Sequence, residues 1–186
     1  ERAEEAVRVS TDVGHRMWIG WNRVLLGWVC SEEGRPAEAA SLVRQGIEEW
    51  RSTGSELGLS YFLTLLAETE LAGGKLDLAA SALDEAEEFA SRTNERFYVP
   101  EIHRVRGAVL RAAGSRDDAV RSTLRAIDAS RALGCPLFMA RAACTGASVG
   151  LDVVALTAAR DALRGLQGGA DHADVAATRA RLDAAA

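Results

Sequence analysis

The sequence predicts an all-α protein built from helix hairpins that repeat every 40 residues, and three observations predict this fold. Glycine recurs at one turn position, at Gly34, Gly74 and Gly114. Small residues recur in register on both sides of these turns. Apolar residues recur at helical spacing, for example between Leu59 and Leu66. A fixed period with small residues in register is typical of stacked helical repeats, whose units bury each other's faces.

Five columns of residues define the repeat, and the members of each column stand 40 residues apart. The columns are Gly27, Ala67 and Gly107; Gly34, Gly74 and Gly114; Ala39, Ala79 and Ala119; Gly46, Ala86 and Ala126; and Gly54, Asn94 and Gly134. The last column holds residue types that accept the left-handed backbone conformation in which helices often end. Each repeat is therefore expected to be a hairpin of two helices, joined at the column of Gly34.

The columns also divide the chain, which we predict to be a single repeat domain over residues 1–186. Full repeats are expected at 15–54, 55–94 and 95–134, and residues 1–14 are expected to be the second helix of a truncated unit. An array that begins in mid-unit predicts an upstream neighbour in a longer parent protein. The helices predicted for the full repeats are 17–33, 36–53, 56–72, 76–93, 98–113 and 116–133.

The repeat pattern weakens in residues 135–186, which we predict to be a degenerate unit and a C-terminal capping helix. Ala147 continues the column of Gly107, but Val154 stands where the next turn glycine belongs. Helices are expected at 136–149, 153–166 and 171–185, with Gly168 and Gly169 before the last of them and Asp171 or Asp174 as its N-cap.

Composition limits the environment and the partners. The net charge of −5 argues against nucleic acid as a direct partner. No apolar run approaches the roughly 18 residues of a membrane span, and no signal peptide is visible. Cys30, Cys135 and Cys144 lack metal-binding spacing, and an odd count of cysteines favours reduced thiols. We therefore expect a cytoplasmic protein without membrane contact.

The spacing of the small residues selects one repeat type. The 40-residue period is closer to HEAT or armadillo repeats than to the roughly 34-residue tetratricopeptide unit. Within each repeat, however, the small residues are separated by 7, 5 and 7 positions, as from Gly27 to Gly46. That spacing is typical of a tetratricopeptide hairpin. The predicted fold is a tetratricopeptide-like superhelix of antiparallel hairpins with helices about a turn longer than usual.

Several segments also resemble a known family. Residues 14–111 and the tail from Gly169 to Leu182 resemble the C-terminal helical region of large bacterial ATP-binding signalling proteins. These include class III adenylate or guanylate cyclases with an ATPase module, and MalT-like or LuxR-type regulators. The segments that carry the resemblance are Gly46–Gly54, Tyr61–Glu68, Leu83–Ala86, Asn94–Arg96 and Glu101–Gly107. The resemblance implies a regulatory, signalling or transcription-related role, with ATPase or cyclase domains elsewhere in the parent protein.

Catalytic and metal-binding patterns are weak. Gly73, Gly74 and Lys75 lack the spacing of a phosphate-binding loop, and their position predicts a hairpin turn. His15, His103 and His172 lie in separate repeats, and Cys135 and Cys144 are nine residues apart, on different faces of a helix. Both observations disfavour a metal site or a catalytic pair. We therefore expect a non-catalytic protein that uses no cofactor and no metal.

The first helices of tetratricopeptide hairpins line a concave groove, and the columns predict which residues face it. One wall is expected to be aromatic and the other basic, which suits an acidic, aromatic peptide segment or an anionic small molecule. The predicted groove residues are Trp21, Trp28, Tyr61, Thr64, Glu68, Glu101, Arg104, Arg111 and Arg141. The alternative for Trp21 and Trp28 is packing, and for Glu101 with Arg104 it is an ion pair that joins repeats. Trp18 and Trp50 are expected to pack between repeats.

The sequence thus predicts a protein-interaction or regulatory module that binds a peptide, a neighbouring domain or an effector in its groove. The alternative is a sensor of a small molecule, a sugar or an anionic metabolite, with Tyr61 and Glu68 as the candidate sugar contacts. A further alternative is self-association through the N-terminal face, because an unstacked repeat leaves an apolar patch.

Overall fold

The computed structural model describes residues 1–165 and 173–184, and these residues form ten α-helices and no strand. The helices are α1 (Arg2–Val13), α2 (Arg16–Glu32), α3 (Pro36–Ser52), α4 (Leu59–Ala72), α5 (Leu76–Thr93), α6 (Val99–Ala112), α7 (Arg116–Leu133), α8 (Pro136–Ser148), α9 (Asp152–Gly165) and α10 (Ala173–Ala184). The chain divides into two compact units, Glu1–Glu95 and Arg96–Ala186. Unit 1 therefore contains α1–α5, and unit 2 contains α6–α10.

The helix boundaries predicted from the sequence are confirmed within one residue for most helices. The start of α4 was predicted three residues too early, because Gly58 adopts a left-handed conformation with φ 73° and delays the helix. The carboxylate of Glu95 stabilises this start, since it accepts a hydrogen bond of 2.9 Å from the Gly58 amide and one from the Ser60 hydroxyl. The predicted cap Asp174 lies inside α10, and the other predicted cap, Asp171, lies with Gly168 and Gly169 outside the described residues.

Left-handed residues mark the turns at a regular step of 20. They stand at Gly14, Gly34, Gly54, Gly74, Asn94, Gly114 and Gly134. Asn94, with φ 56°, is the one non-glycine residue with positive φ in the described part of the chain. Each turn within a hairpin is closed in the same way, by an amide that donates to the carbonyl five residues earlier, as from Arg35 to Cys30 and from Lys75 to Glu70. The predicted turn positions are therefore confirmed.

Unit 1 consists of α1 followed by two helix hairpins. α2 pairs with α3 and α4 pairs with α5, while α1 packs on α2 and α4 packs on both α2 and α3. The small-residue columns lie where the paired helices cross. A Cβ atom built on Gly27 would lie 2.8 Å from the carbonyl oxygen of Ala39, and Ala67 and Ala79 are fully buried. Close backbone approach is thus the physical reason for small residues at these positions.

Unit 2 contains the hairpins α6–α7 and α8–α9, with α10 packed on α8 and α9. Its second hairpin departs from the 40-residue period. The turn residue is Gly150, with φ 88°, whereas Val154 lies inside α9 and is 40% exposed. Buried Ala143, Ala155 and Ala162 then restore the spacing of 7, 5 and 7 around Gly150. The unit predicted to be degenerate is therefore a regular hairpin with four residues fewer before its turn, and Ala147 does not continue the column of Gly107.

Among the helices of residues 1–165 and 173–184, none is long and apolar enough to cross a bilayer.

Candidate binding surface

An aromatic network runs through unit 1 from its core to its surface. At its centre, the Trp21 ring lies 5.2 Å from Phe62 and 5.7 Å from Trp50, measured between ring centroids. Phe62 and Trp50 are buried and pack edge to face against each other. Such pairs contribute about 0.5–1.5 kcal/mol beyond their area burial. The buried rings of Trp50 and Phe62 thus hold the Trp21 ring in one orientation.

Trp18, Trp21 and Tyr61 form the outer part of this network. Trp28 stands seven residues after Trp21, on the same face of α2. We call the surface made of Trp18, Trp21, Trp28 and Tyr61 the aromatic face. Trp18 is 48% exposed and Trp28 is 38% exposed, while Trp21 and Tyr61 are partly exposed. The centroid of Trp21 lies 6.3 Å from that of Trp18 and 6.3 Å from that of Tyr61. The prediction that Trp18 packs between repeats is therefore wrong, because half of its surface faces solvent; the same prediction is confirmed for Trp50, which is 3% exposed.

Two further predicted groove residues lie on α4. Thr64 is buried, and its hydroxyl donates to the Ser60 carbonyl of the preceding turn at 2.7 Å. It therefore lies beneath the surface and offers no group to a ligand. Glu68 is partly exposed and stands seven residues after Tyr61, which places both side chains on one face of α4.

The predicted groove residues of unit 2 form a buried ion cluster on α6 and α8. The Glu101 carboxylate is 1% exposed, and its two oxygens share the single N–H of Arg104 Nε, each at 3.0 Å. Arg141, from α8, donates to the same carboxylate. The two arginine side chains keep 12% and 22% of their surface exposed. The sequence-based alternative to a ligand contact is an ion pair between neighbouring hairpins. The structure contains this ion pair, because Arg141 of α8 contacts Glu101 of α6.

Arg111, the remaining predicted groove residue, lies in the last turn of α6 and is exposed. Its guanidinium has no ion-pair partner among the described residues. The single groove predicted from the sequence combines residues of unit 1 with residues of unit 2, and it stays a prediction.

Sequence reasoning missed a second buried carboxylate, on α4. Glu70 is 1% exposed and accepts a hydrogen bond from Arg44 of α3. Its other oxygen, Oε2, is buried without a hydrogen-bond partner. The sequence contains a signal for this site, because the residues 40 positions before and after Glu70 are the apolar Cys30 and Leu110. A charged residue at a position that is apolar in the neighbouring repeats indicates a buried charge.

The chemistry of the remaining polar groups is limited. Burial raises the pKa of the Cys30 thiol, and the nearby Arg35 offsets part of this effect. In the part of the chain that the structure describes, no three His, Cys, Asp or Glu residues come together in a way that could hold a metal ion.

Comparison with known proteins shows a likeness of fold to solved structures. No description of a known family matches the chain, and no curated protein matches it either. The chain is similar to the crystal structure of BtubC (BKLC) from P. vanneervenii, with a TM-score of 0.68 and 19% sequence identity over 98% of this chain and 78% of that chain. At this identity the likeness shows the fold alone.

Proposed function

We propose that this chain is a non-catalytic, tetratricopeptide-like repeat module that binds a segment of another protein or domain. Its parent would be a larger bacterial signalling ATPase or transcriptional regulator. The regular turns, the spacing of 7, 5 and 7 between small residues and the sequential hairpin packing support the repeat class. The sequence resemblance described above supports the regulatory setting. A superhelical stack of such hairpins presents a continuous surface made of its first helices.

The aromatic face is the observation that carries this proposal. Tryptophan and tyrosine are enriched among the residues that dominate binding energy at protein interfaces. Here Trp18 and Trp28 expose 48% and 38% of their surface on one helix, and Trp21 between them is fixed by buried rings. Because the Trp21 ring is already held in place, ordering this ring on binding would cost little side-chain entropy. An apolar or aromatic segment of a partner therefore suits this surface.

Selection from a random peptide library displayed on phage tests the proposal. The folded chain is immobilised, enriched peptides are synthesised, and their affinities are compared with the variant Trp18→Ala/Trp28→Ala. We expect the double variant to lose about 30-fold in affinity, since truncation at a binding hot spot costs about 2 kcal/mol. Both side chains are partly exposed, so the variant should keep its helical circular dichroism.

The matched control is Leu57→Ala, which removes a 75% exposed apolar side chain elsewhere in unit 1. This variant should bind the selected peptides like the parent chain. The proposal is wrong if peptides bind the double variant with unchanged affinity, or if none is enriched above an unrelated helical protein.

A second candidate function is a sensor for a sugar or an anionic metabolite. The sugar is favoured by the partly exposed Tyr61 ring beside Trp21, on the same helix face as Glu68. Aromatic rings next to a carboxylate are the groups that stack on and hydrogen-bond to sugars. A thermal-shift panel of sugars and metabolites separates the two functions, because a rise in melting temperature that disappears in Tyr61→Ala supports the sensor. No rise with any compound rejects it.

A further inference from the structure

A cleft with a volume of about 520 Å³ lies in unit 1, away from the helix that carries the tryptophans of the aromatic face. It is formed by the end of α3, the loop that leads into α4, and one face of α5. The residues that line it are Arg51, Gly54, Ser55, Glu56, Leu59, Glu85, Glu88, Phe89 and Arg92. None of them belongs to α2, so an inference from this cleft is independent of the proposed function.

The cleft has an apolar floor and two ion pairs at its sides. Leu59 and Phe89 form the floor and are 5% and 6% exposed. Arg51 of α3 pairs with Glu85 of α5 across the cleft. On the other side, Arg92 pairs with Glu56 of the loop at 3.1 Å, and its guanidinium lies 5.0 Å from the centre of the Phe89 ring. Both arginines are thus already engaged with carboxylates.

The fifth charge in the cleft belongs to Glu88. Two arginines and three glutamates line the cleft, which gives it a net charge of 2 − 3 = −1. No basic group lies within ion-pair distance of the Glu88 carboxylate among the described residues. Glu88 stands between Glu85 and Arg92 on one face of α5, at helical spacings of three and four residues. An exposed carboxylate without a partner therefore lies beside a buried apolar floor.

We propose that this cleft binds the basic side chain, arginine or lysine, of a partner polypeptide. The aliphatic stem of such a side chain would lie over Leu59 and the Phe89 ring, and its charged end would pair with Glu88. Long basic side chains combine these two parts, an apolar stem and a charged head. An anion fits less well, because it would have to displace Glu56 or Glu85 from the guanidinium groups and would face the charge of Glu88.

Titration of the ¹⁵N-labelled chain, observed by NMR, tests this proposal. The probe is arginine with an acetylated amino group and an amidated carboxyl group, so that the guanidinium is the single charged group of the molecule. The uncharged control is citrulline capped in the same way. We expect saturable shifts at the amides of Leu59 and Phe89 with the arginine probe and none with citrulline. Affinity should fall as salt rises, because the pair is exposed to solvent.

Two variants test whether the Glu88 carboxylate binds the charged end of the probe. Glu88→Gln should weaken the arginine probe by about fivefold, the effect of losing an exposed ion pair. Glu48→Gln makes the same change on an exposed residue of α3 that does not line the cleft, and it should leave affinity unchanged. A capped Ala-Ala-Arg-Ala peptide should bind more tightly than the single residue if the ligand is a polypeptide.

Three results would overturn the proposal. The first is the absence of saturable shifts in the cleft with both arginine and lysine probes. The second is equal affinity of the parent chain and Glu88→Gln, or equal binding of citrulline. The third is a peptide that binds no more tightly than the capped residue, which would exclude a polypeptide as the ligand.

Discussion

Replacement of Gly46 by alanine should have opposite effects according to the sequence columns and according to the contacts in the structure. The residues in the same column are Ala86 and Ala126, so the repeat consensus predicts that Gly46→Ala is harmless or stabilising. The structure predicts the opposite. A Cβ atom built on Gly46 would lie 2.7 Å from the Gly20 carbonyl oxygen and 2.8 Å from the Val24 amide nitrogen.

The expected loss follows from two opposing effects. Alanine gains about 1 kcal/mol over glycine inside a helix. Overpacking costs about 1–3 kcal/mol, and the upper end applies because both close atoms belong to the backbone and cannot rotate away. The free energy of unfolding should therefore fall by roughly 2 kcal/mol, which corresponds to a melting temperature lower by about 4–8 °C.

The assay is urea unfolding followed by tryptophan fluorescence. All four tryptophans lie in unit 1, at positions 18, 21, 28 and 50, so this signal reports the unit that carries the substitution. The control is Gly73→Ala, where the nearest atom to a built Cβ is 3.5 Å away, and no loss is expected. A Gly46→Ala variant as stable as the parent chain would refute the inference of close helix contact.

Three further predictions concern other parts of the chain. Gly134→Ala should cost about 1 kcal/mol, because φ is 66° there, whereas Gly134→Asn should cost less, as the left-handed Asn94 indicates. Glu101→Gln should lower the stability of unit 2 by about 3 kcal/mol, since Arg104 and Arg141 lose their buried carboxylate, and urea unfolding followed by circular dichroism measures this. Because burial raises the pKa of Cys30, the unfolded chain binds fewer protons than the folded chain at high pH. Stability should then fall as pH rises above about 8.5, and this part of the decline should be absent in Cys30→Ala.

The turns and helix crossings could be predicted because their physical requirements restrict residue type. A left-handed turn selects glycine or asparagine, and a close crossing selects glycine or alanine. Both requirements recur in every hairpin, so a single sequence displays them three times. The helices between these points are then fixed to within a residue, except where a second left-handed glycine, Gly58, delays α4.

Exposure and ion pairing could not be predicted in the same way. The period assigns a residue to a face of its own helix, but it does not say how far a neighbouring helix covers that face. Trp18 lies in the first turn of α2 and remains half exposed, whereas Trp50 at the end of α3 is covered. Glu70 and Glu101 are both buried because arginines from other helices reach them, and those partners depend on the packing of whole hairpins.

In the fourth hairpin, α8–α9, the spacing of the small residues at the helix contacts is kept although the 40-residue period is not. The step from Gly114 to Gly150 is 36 residues, and the period of 40 is lost. The distances that fix one helix against its partner are nevertheless kept, because Ala155 and Ala162 follow Gly150 at 5 and 12 positions, as Ala119 and Ala126 follow Gly114. Relative to the preceding hairpin, the missing residues come mainly from the loop before the helix, because α8 starts two residues after Gly134 whereas α6 starts five residues after Asn94. The internal spacing of 7, 5 and 7 is therefore a better guide to such hairpins than the period, since the crossing geometry depends on that spacing and not on the length of the connecting loop.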